Sequence, residues 1–484
     1  MMSEPKRLHP IASVINTGKR LKNLFIPLAA IFLSGGREGK ESLFITLGIA
    51  LVVVIFTFIS GLISWLKYTY RFEYNELRVE YGIFIRKKRY IPFERIQSID
   101  LTEGILQQLF GLVKVQIETA GSSGDEEAEA VLSAITKEEA KLIQEYVAAA
   151  KTGDLETASH KVAKPIFKIT TPELLLLSLT SGGIGVVISA LFALLSQFDD
   201  FIPFKKVFGG LEEWAVHNLI LIAILVFAGF FLAWLIALVL TMLKYANFTV
   251  VQTEKDFVIS QGLLEKKQIT IPLNRIQAIR ISENPIRQLL GYGTVYVESA
   301  GGSIENKDGA NVILLPIMKV KELSALIGPY LPEYHFTASF TPVPKRALRR
   351  YIFRSWFIPV PIAAAAIFFF KIWGLFSLLL IGLFTFWAIL KYKTAGWSLD
   401  GQQLTLRFQT TNRTTVFIKK NKIQSLEIRE SYFQRNKELG TIEAYVKSGL
   451  GGAGGTVVDM EKSEVEKIFG WYSKEQKNRE GAHG

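Results

Sequence analysis

The chain has 484 residues, which is enough for several domains, and it contains no cysteine. Disulfides, thiolate catalysis and cysteine-ligated metals are therefore excluded. Hydrophobic residues make up 49% of the chain and the net charge is +12. Because the charged residues avoid long stretches, the composition indicates a membrane protein whose basic excess faces anionic lipid rather than nucleic acid.

Apolar runs follow one another in pairs along the chain. Five are long enough to cross a bilayer, namely Ser42–Trp65, Leu174–Ser196, Ala215–Leu243, Ile352–Phe370 and Ile372–Leu390. A shorter run, Leu24–Leu33, precedes the first of them and, with Ser34–Gly36 after it, resembles a signal peptide. No small-x-small cleavage site stands out, however, and the run occupies the first-helix place of a repeated unit. We predict about six membrane segments in three helical hairpins, with five spans as the alternative.

The string Leu-Lys-Tyr closes each hairpin, at Leu66–Tyr68, Leu243–Tyr245 and Leu390–Tyr392. Lysine and tyrosine favour the membrane interface, so each string is predicted to mark the end of a helix. Lysine and arginine are concentrated at the open ends of the hairpins, including Arg350 and Arg354 before the third, whereas the turns within the hairpins carry few of them. By the positive-inside rule, both termini and all soluble domains are expected on the cytoplasmic side of a bacterial plasma membrane.

A polar, strand-like segment follows each string. Ile91–Ile99 (IPFERIQSI) aligns with Ile271–Ile279 (IPLNRIQAI), and the register continues without a gap to Gly121 and Gly301. A weaker third copy, Ile418–Leu426 (IKKNKIQSL), keeps the isoleucine and the glutamine. An internal repeat of this kind indicates one supersecondary unit used three times.

The repeats set the predicted domain boundaries. They are 1–66 for the N-terminal segment and first hairpin, 67–150 for the first soluble domain, 151–172 for a linker, 173–243 for the second hairpin, 244–331 for the second soluble domain, 332–350 for a linker, 351–390 for the third hairpin, 391–472 for the third, degenerate domain, and 473–484 for a polar tail.

Each soluble domain shows the same order of predicted elements. Short alternating runs such as Leu77–Tyr81, Ile83–Ile91, Ile96–Leu101 and Val113–Thr119 predict antiparallel strands. Each copy ends in a helical pattern, at Thr136–Ala149, Met318–Leu331 and Glu461–Trp471, and Thr136 with Glu139 fits a capping box. The fold class is therefore an α-helical multi-pass membrane protein that carries three α+β barrels, each of antiparallel strands plus one C-terminal helix.

The hairpin, the IPxxRIQxI string, the QLxG step at Gln108–Gly111 and the ExAG strand end at Glu118–Gly121 resemble the bacterial pleckstrin-homology-like (PH-like) domains. The three-fold array is similar to the YdbT-type membrane proteins over nearly the whole chain. The resemblance implies a PH-like barrel in each copy. It does not imply a ligand, because the fold hosts lipid, peptide and protein binding alike.

The densest basic patch is Arg86-Lys87-Lys88-Arg89, and Lys266-Lys267 occupy the same place in the second copy. These residues are candidates for contact with anionic lipid head groups or with a protein partner, since each basic residue near a bilayer contributes about 1 kcal/mol. The alternative is a solvated hairpin near a negatively charged surface.

The repeat motif supplies a second group of candidates. A ligand-contacting role competes with a structural role at the entrance to a strand, and the structural role is favoured. The residues are Pro92, Arg95, Gln97, Pro272, Arg275, Gln277 and Gln424.

The sequence contains no recognisable catalytic or cofactor-binding motif. The histidines are scattered, and no hydrolase elbow or P-loop is present. Gly449–Gly454 fits G-x-G-x-x-G, but a strand-like segment follows it where a dinucleotide loop needs a helix, so a hairpin loop is predicted. No metal site and no cofactor are expected, and the protein is predicted to be non-enzymatic.

Three functional hypotheses follow. The first is a membrane scaffold whose PH-like domains bind a membrane or cytoplasmic protein, or one another in a homo-oligomer, in envelope maintenance or stress tolerance. The second is a module that binds anionic phospholipid. The third is a transporter or export accessory for an apolar substrate. The near absence of ionisable residues from the apolar runs argues against a proton-coupled transporter or an ion pump.

Overall fold

The computed structural model describes residues 4–35, 40–119, 129–152, 165–182, 189, 219–253, 255–299, 311–447 and 453–480. The chain separates into two compact units. The first comprises Met1–Ser122 and Ala128–Thr270, and the second consists chiefly of Ile271–Gly484. Helices and antiparallel sheets occur in both units, which confirms sheet-rich domains joined to apolar helices.

The first unit begins with two antiparallel helices, Ile11–Gly35 and Lys40–Lys67. Arg20 Nη1 donates to Ser60 Oγ at 2.9 Å, and Trp65 Nε1 donates to the Leu8 carbonyl at 2.7 Å. The first helix therefore starts well before the apolar run predicted at Leu24. Its opening turns belong to the soluble domain, because Ala12 is fully buried in that domain's core.

Two sheets and a helix build the first soluble domain. Strands β1 (Lys6–Arg7), β2 (Thr69–Glu73), β3 (Glu76–Tyr81) and β4 (Lys87–Pro92) form one antiparallel sheet in that order. Strands β5 (Ile96–Glu103), β6 (Leu112–Thr119) and β7 (Ala130–Thr136) follow. The helix Lys137–Thr152 closes the core with Ile143 and Val147.

Two sequence signals in this domain have a clear structural role. Thr136 and Glu139 form the predicted capping box, in which the Glu139 N–H donates to Thr136 Oγ1 at 3.2 Å. The IPxxRIQxI string forms the corner between the sheets. Pro92 ends β4, Phe93–Arg95 make one 3₁₀ turn, and Ile96 starts β5 fully buried.

The second sheet does not end at β5. Beyond it come β11 (Lys266–Pro272), β10 (Asp256–Gln261), β9 (Thr249–Gln252) and β8 (Pro165–Lys168), in a seven-stranded sheet of order β7-β6-β5-β11-β10-β9-β8. In the antiparallel register of β5 and β11, which we name the first joint, Glu103 lies opposite Lys266 and Leu101 opposite Gln268. The last sheet of one repeat is thus continuous with the first sheet of the next.

The second hairpin belongs to the same unit. The helix Thr171–Thr180 begins at a capping box formed by Thr170 and Glu173, and it packs against the helix Leu219–Tyr245. Most of the predicted run Leu174–Ser196 lies outside the described residues.

The second unit contains the second joint. Its strands are β12 (Ile276–Glu283), β13 (Tyr292–Ser299), β14 (Asn311–Lys319), β15 (Thr341–Pro342), β16 (Gly396–Asp400), β17 (Gln403–Gln409) and β18 (Arg413–Lys419). They form a seven-stranded sheet of order β14-β13-β12-β18-β17-β16-β15. In this second joint, the pairing of β12 with β18, Glu283 lies opposite Arg413 and Ala278 opposite Ile418.

A three-stranded sheet completes the third soluble domain. It comprises β19 (Ile423–Arg429), β20 (Leu439–Val446) and β21 (Ala453–Glu461), and the helix Lys462–Glu480 follows it. This helix confirms the predicted pattern at Glu461–Trp471 and continues beyond it. The helix predicted at Met318–Leu331 is wrong in extent: β14 runs to Lys319, and only Leu323–Ile327 are α-helical, because Gly328 and Pro329 interrupt the pattern.

The third hairpin reverses direction within a single apolar stretch. The helices Leu348–Trp356 and Pro359–Phe370 lead to Lys371, whose φ is 49°, and the helix Leu378–Thr394 returns. A Cβ at Gly374 would lie 2.3 Å from the Ala366 carbonyl oxygen, so this tight turn requires glycine. The two runs predicted here are therefore the two arms of one hairpin.

Among the described residues, three stretches are long and apolar enough to cross a membrane. They are Leu47–Lys67, Phe227–Tyr245 and Pro359–Thr394. A membrane protein is thereby supported, while the number of six spans stays a prediction.

The second joint depends on a nearly buried ion pair. Arg413 Nε donates to Glu283 Oε1 at 2.8 Å, Arg413 Nη2 donates to Oε2 of the same carboxylate, and Glu283 is 2% exposed. We expect Arg413→Ala to destabilise this joint by about 3–5 kcal/mol, because it leaves a buried carboxylate without its partner. Hydrogen exchange of the β12 and β18 amides in the full-length protein measures this local opening.

The first joint offers a matched control. Lys266 occupies the position of Arg413 but is exposed, so Lys266→Ala should change the protection of β5 and β11 by less than about 1 kcal/mol. Equal losses of protection in the two variants would contradict the role assigned to the Glu283–Arg413 pair.

Candidate membrane and partner contact surface

The turn between β3 and β4, which we name the first tip, comprises Gly82–Ile85. Phe84 is 98% exposed and Ile85 75% exposed. Gly82 has a φ of 116°, and a Cβ there would lie 1.9 Å from the Ile85 carbonyl oxygen. The tight turn therefore requires glycine and projects two apolar side chains into the surroundings.

The first tip lies beside the end of a membrane-helix candidate. Tyr68 directly follows the helix Lys40–Lys67, and its ring stacks on that of Tyr81 with 5.9 Å between centroids. Tyr68 is held in place because its hydroxyl donates to the Val131 carbonyl at 2.8 Å. Tyr81 is the last residue of β3, so the tip begins where the apolar helix ends.

The second repeat shows the same arrangement by direct hydrogen bonds. In the second tip, Gly262–Glu265, the Leu263 N–H donates to the Leu243 carbonyl at 3.0 Å and the Gly262 N–H donates to the Ala246 carbonyl at 2.8 Å. Leu263 and Leu264 are each 47% exposed. The Leu-Lys-Tyr string at Leu243–Tyr245 is thus the point at which this apolar tip meets the helix end.

Three of the four basic residues next to the first tip have partners. Arg86 forms an ion pair with Glu80, and Lys88 Nζ lies 3.7 Å from the same carboxylate. Partial burial of Glu80 opposes its ionisation, but Arg86 and Lys88 hold the pKa of this carboxyl below its usual value. Arg89 Nη1 donates to the Glu129 carbonyl at 2.5 Å. Lys87 and Lys88 are both exposed.

Lys266 and Lys267, the counterparts of Arg86 and Lys87 in the second copy, lie in a different setting. Their strand, β11, is covered by β5 on one side and β10 on the other. Lys267 Nζ lies 3.5 Å from Glu265. The two basic strands look equivalent in sequence, but β4 is the last strand of its sheet and β11 is an interior strand.

A short apolar helix adds to this surface and was missed by sequence reasoning. The helix Ile105–Leu109 presents exposed Ile105 and Leu109. Its Gln108 Nε2 donates to the Leu264 carbonyl at 2.7 Å, which ties the helix to the second tip. The shared QLxG step could have revealed it, because Gln288 Nε2 donates to the Glu283 backbone carbonyl just as Gln108 Nε2 donates to the Glu103 backbone carbonyl.

The motif residues lie at the corners between sheets. Pro92 and Pro272 end β4 and β11, and Arg95 and Arg275 are the last residues of the 3₁₀ turns that follow. Gln277 is buried and donates to the Arg275 carbonyl at 3.0 Å. Gln97 is part-buried on β5, and Gln424 is exposed on β19. The structural role is in keeping with these positions, and a ligand-contacting role stays a prediction.

Arg350 and Arg354, which the sequence assigns only to the basic helix ends, have a specific partner. Arg350 Nε and Arg354 Nη2 donate to the fully buried Asp459 at 2.8 and 2.9 Å. Gln434 Nε2 donates to Asp459 Oδ1 at 2.9 Å. This carboxylate fixes the helix Leu348–Trp356, which leads into the third hairpin, onto the third soluble domain.

The described part of the chain contains no group of three or more His, Cys, Asp or Glu residues that could hold a metal ion. Residues 448–452 of the glycine-rich string lie outside the described residues. The segment after them, Ala453–Glu461, is strand β21 and not a helix, which argues against a dinucleotide loop.

Comparison with known proteins agrees with this geometry. The family model described as "Bacterial PH domain" matches residues 25–151, 190–331 and 357–476. The chain belongs to the bacterial PH domain family. It is 38% identical over 495 residues, covering 98% of this chain and 99% of the relative, to the UPF0699 transmembrane protein YdbT of Bacillus subtilis (strain 168). The protein is thus a transmembrane protein with three bacterial PH domain matches, which confirms the resemblance drawn from the repeat motif.

The joint between the first two PH domain repeats contains a part-buried carboxyl group, Asp100. Burial raises the pKa of Asp100 to about 7; the nearby Glu118 carboxylate raises it further, while the hydrogen bond from the Thr270 N–H lowers it. The folded protein therefore keeps a proton between about pH 4 and pH 7 that the unfolded chain releases, so stability falls as the pH rises through this window.

Asp100→Asn should remove this pH dependence. We expect the β11 amides of the variant to exchange more slowly than those of the wild type at pH 8, and the two proteins to differ little at pH 5, after correction for intrinsic exchange. Asp400→Asn, at the exposed end of β16 in the other unit, is the control. A wild-type joint of constant stability from pH 5 to pH 8 would refute the assignment.

Proposed function

We propose that this protein is a non-enzymatic membrane scaffold that presents PH domains at the cytoplasmic face. The observation that carries the proposal is the sharing of sheets between successive repeats. β5 pairs with β11 in the first unit, and β12 pairs with β18 in the second. Backbone pairing across a repeat boundary fixes the registration of adjacent domains, which is the property that a scaffold requires.

The tips support placement of the domains against the bilayer. Each tip meets the end of an apolar helix and carries exposed apolar side chains. A surface held at a membrane raises the effective concentration of any partner that is also bound there, so weak contacts with individual domains can add up. In a bacterial cell such a scaffold would serve envelope maintenance or stress tolerance.

Crosslinking in intact membranes tests the scaffold proposal. The tagged full-length protein should recover one specific protein partner. Lys87→Ala/Lys88→Ala should reduce the recovery of a partner that contacts the first domain beside its tip. Lys137→Ala/Lys141→Ala removes the same charge from the exposed face of the helix Lys137–Thr152 and should leave recovery unchanged. Recovery of only those proteins that a control membrane protein also captures would refute the proposal.

A second candidate function is binding of anionic phospholipid by the first tip. The observation that favours it is the combination of Phe84 and Ile85 with the exposed Lys87 and Lys88 at a helix end. An apolar turn followed by lysines suits the boundary between acyl chains and negatively charged head groups.

The absence of cysteine makes this second function measurable. A polarity-sensitive fluorophore on Phe84→Cys should report an apolar environment in proteoliposomes that contain anionic lipid, and a more polar one after Lys87→Ala/Lys88→Ala. The same fluorophore on Tyr74→Cys, in the exposed turn at the other end of β3, is the control. Identical spectra at the two positions would exclude insertion of the tip.

A further inference from the structure

Two sheet edges differ from their counterparts in the other repeats. β4 is the last strand of the sheet β1-β2-β3-β4, and β19 is the last strand of the sheet β19-β20-β21. Among the described residues, neither strand has a second neighbour. Exposed backbone edges of this kind are templates for pairing with another chain.

The repeat alignment indicates which strand each edge would pair with. At each joint, a strand of the earlier repeat, β5 or β12, pairs with a strand of the later repeat, β11 or β18. We call β5 and β12 the supplying strands and β11 and β18 the accepting strands. β4 aligns with the accepting strands, and β19 aligns with the supplying strands. Both joints pair the supplying strand of one repeat with the accepting strand of the next. The first repeat therefore retains an accepting strand, and the third retains a supplying strand.

The register at the two joints is the same. Glu103 lies opposite Lys266, and Glu283 lies opposite Arg413. In the aligned repeats, Glu430 takes the place of Glu103 and Glu283, and Arg86 takes the place of Lys266 and Arg413. A third joint in this register would set Glu430 against Arg86.

Charge favours this pairing over the alternatives. β4 carries Lys87, Lys88 and Arg89, so two β4 edges repel each other. The same register sets Glu427 against Arg89. It also sets Arg429 against Lys87, so two of the three facing charged pairs are of opposite sign; Arg429 lies 3.0 Å from Glu427 and 3.2 Å from Glu443, which offset its charge. Opposite charges on facing strands stabilise a pair, and like charges destabilise it.

Exposure marks the same two strands. Tyr90 on β4 is 51% exposed, whereas its counterpart on β18, Phe417, is 2% exposed. The β11 counterpart, Thr270, is part-buried and donates its N–H to Asp100 at 3.1 Å. On β19, Gln424 and Ser425 are exposed, whereas their counterparts on β12, Gln277 and Ala278, are buried. The side chains that a third joint would cover are thus exposed.

We propose that copies of this protein assemble head to tail, with β19 of one copy pairing antiparallel with β4 of the next. The contact is heterologous, so it generates a closed ring or an open row in the plane of the membrane. It leaves the first tip accessible, because Leu263 and Leu264 of the second tip stay exposed although β11 is paired. The assembly uses the strand that carries Lys87 and Lys88, but it requires neither the partner nor the lipid proposed above, and in the paired strand β11 the counterpart Lys266 remains exposed.

Cysteine crosslinking of the full-length protein in membranes tests the assembly. Arg86→Cys with one tag and Glu430→Cys with a second tag are co-expressed and oxidised. Antiparallel partners have Cα atoms about 4.5–5.5 Å apart, a separation that a disulfide accommodates. We expect a reducible dimer that carries both tags. The double variant Arg86→Cys/Glu430→Cys in one chain should give a ladder of higher oligomers.

Two further pairs calibrate the oxidation. Glu103→Cys/Lys266→Cys lie opposite each other at the first joint and should form a disulfide within one chain. Lys87→Cys with Glu430→Cys is out of register by one residue, which directs the two side chains to opposite faces of the sheet, so the dimer should be lost.

Charge reversal tests the assembly without cysteine. Arg86→Glu should lower the amount of oligomer recovered after photocrosslinking with a reagent that does not depend on amines. Adding Glu430→Arg to the same chain should restore that amount. The proposal would be overturned if the disulfide between Glu103→Cys and Lys266→Cys forms but no dimer carries both tags. A double variant that crosslinks only within its own chain, or dimers joined through Arg86→Cys alone, would also overturn it.

Discussion

Pairing of strands across the repeat boundary is the constraint on which the rest of this structure depends. β5 completes the first sheet of the second repeat, and β12 completes the first sheet of the third. Edge strands left without neighbours expose rows of backbone donors and acceptors. In each compact unit, two of these edges satisfy each other, so the soluble domains are connected by a sheet as well as by the chain.

This pairing explains why equivalent residues of the repeats have different surroundings. Arg86, Lys266 and Arg413 align, yet Lys266 is exposed at a paired strand and Arg413 forms an ion pair with the nearly buried Glu283. Arg86 remains at an unpaired edge, where it binds Glu80 of its own domain. The same strand of the repeat is therefore an interior strand in two copies, β11 and β18, and an edge strand in one copy, β4.

The tips connect the soluble domains to the apolar helices. Tyr68 stacks on Tyr81, and the Leu243 carbonyl accepts from Leu263, so each tip is held at a helix end by contacts close to the Leu-Lys-Tyr string. In the third repeat, Asp459 connects the soluble domain to the helix Leu348–Trp356 through ion pairs with Arg350 and Arg354. These contacts join the apolar helices directly to the soluble domains, as the proposed scaffold requires.

The sequence by itself determined the repeat, the apolar helices, the corner strings and the capping box at Thr136. These features arise from local patterns: the period of hydrophobic residues, the fixed φ of proline and hydrogen bonds between residues three apart. It misjudged the helix at Met318–Leu331, because Gly328 and Pro329 outweigh the apolar period, and it gave no role to Asp459. Only the tertiary structure decided which basic strand is an edge and which is interior. That distinction depends on pairing between residues far apart in the chain, such as Glu103 with Lys266, for which no local pattern carries the information.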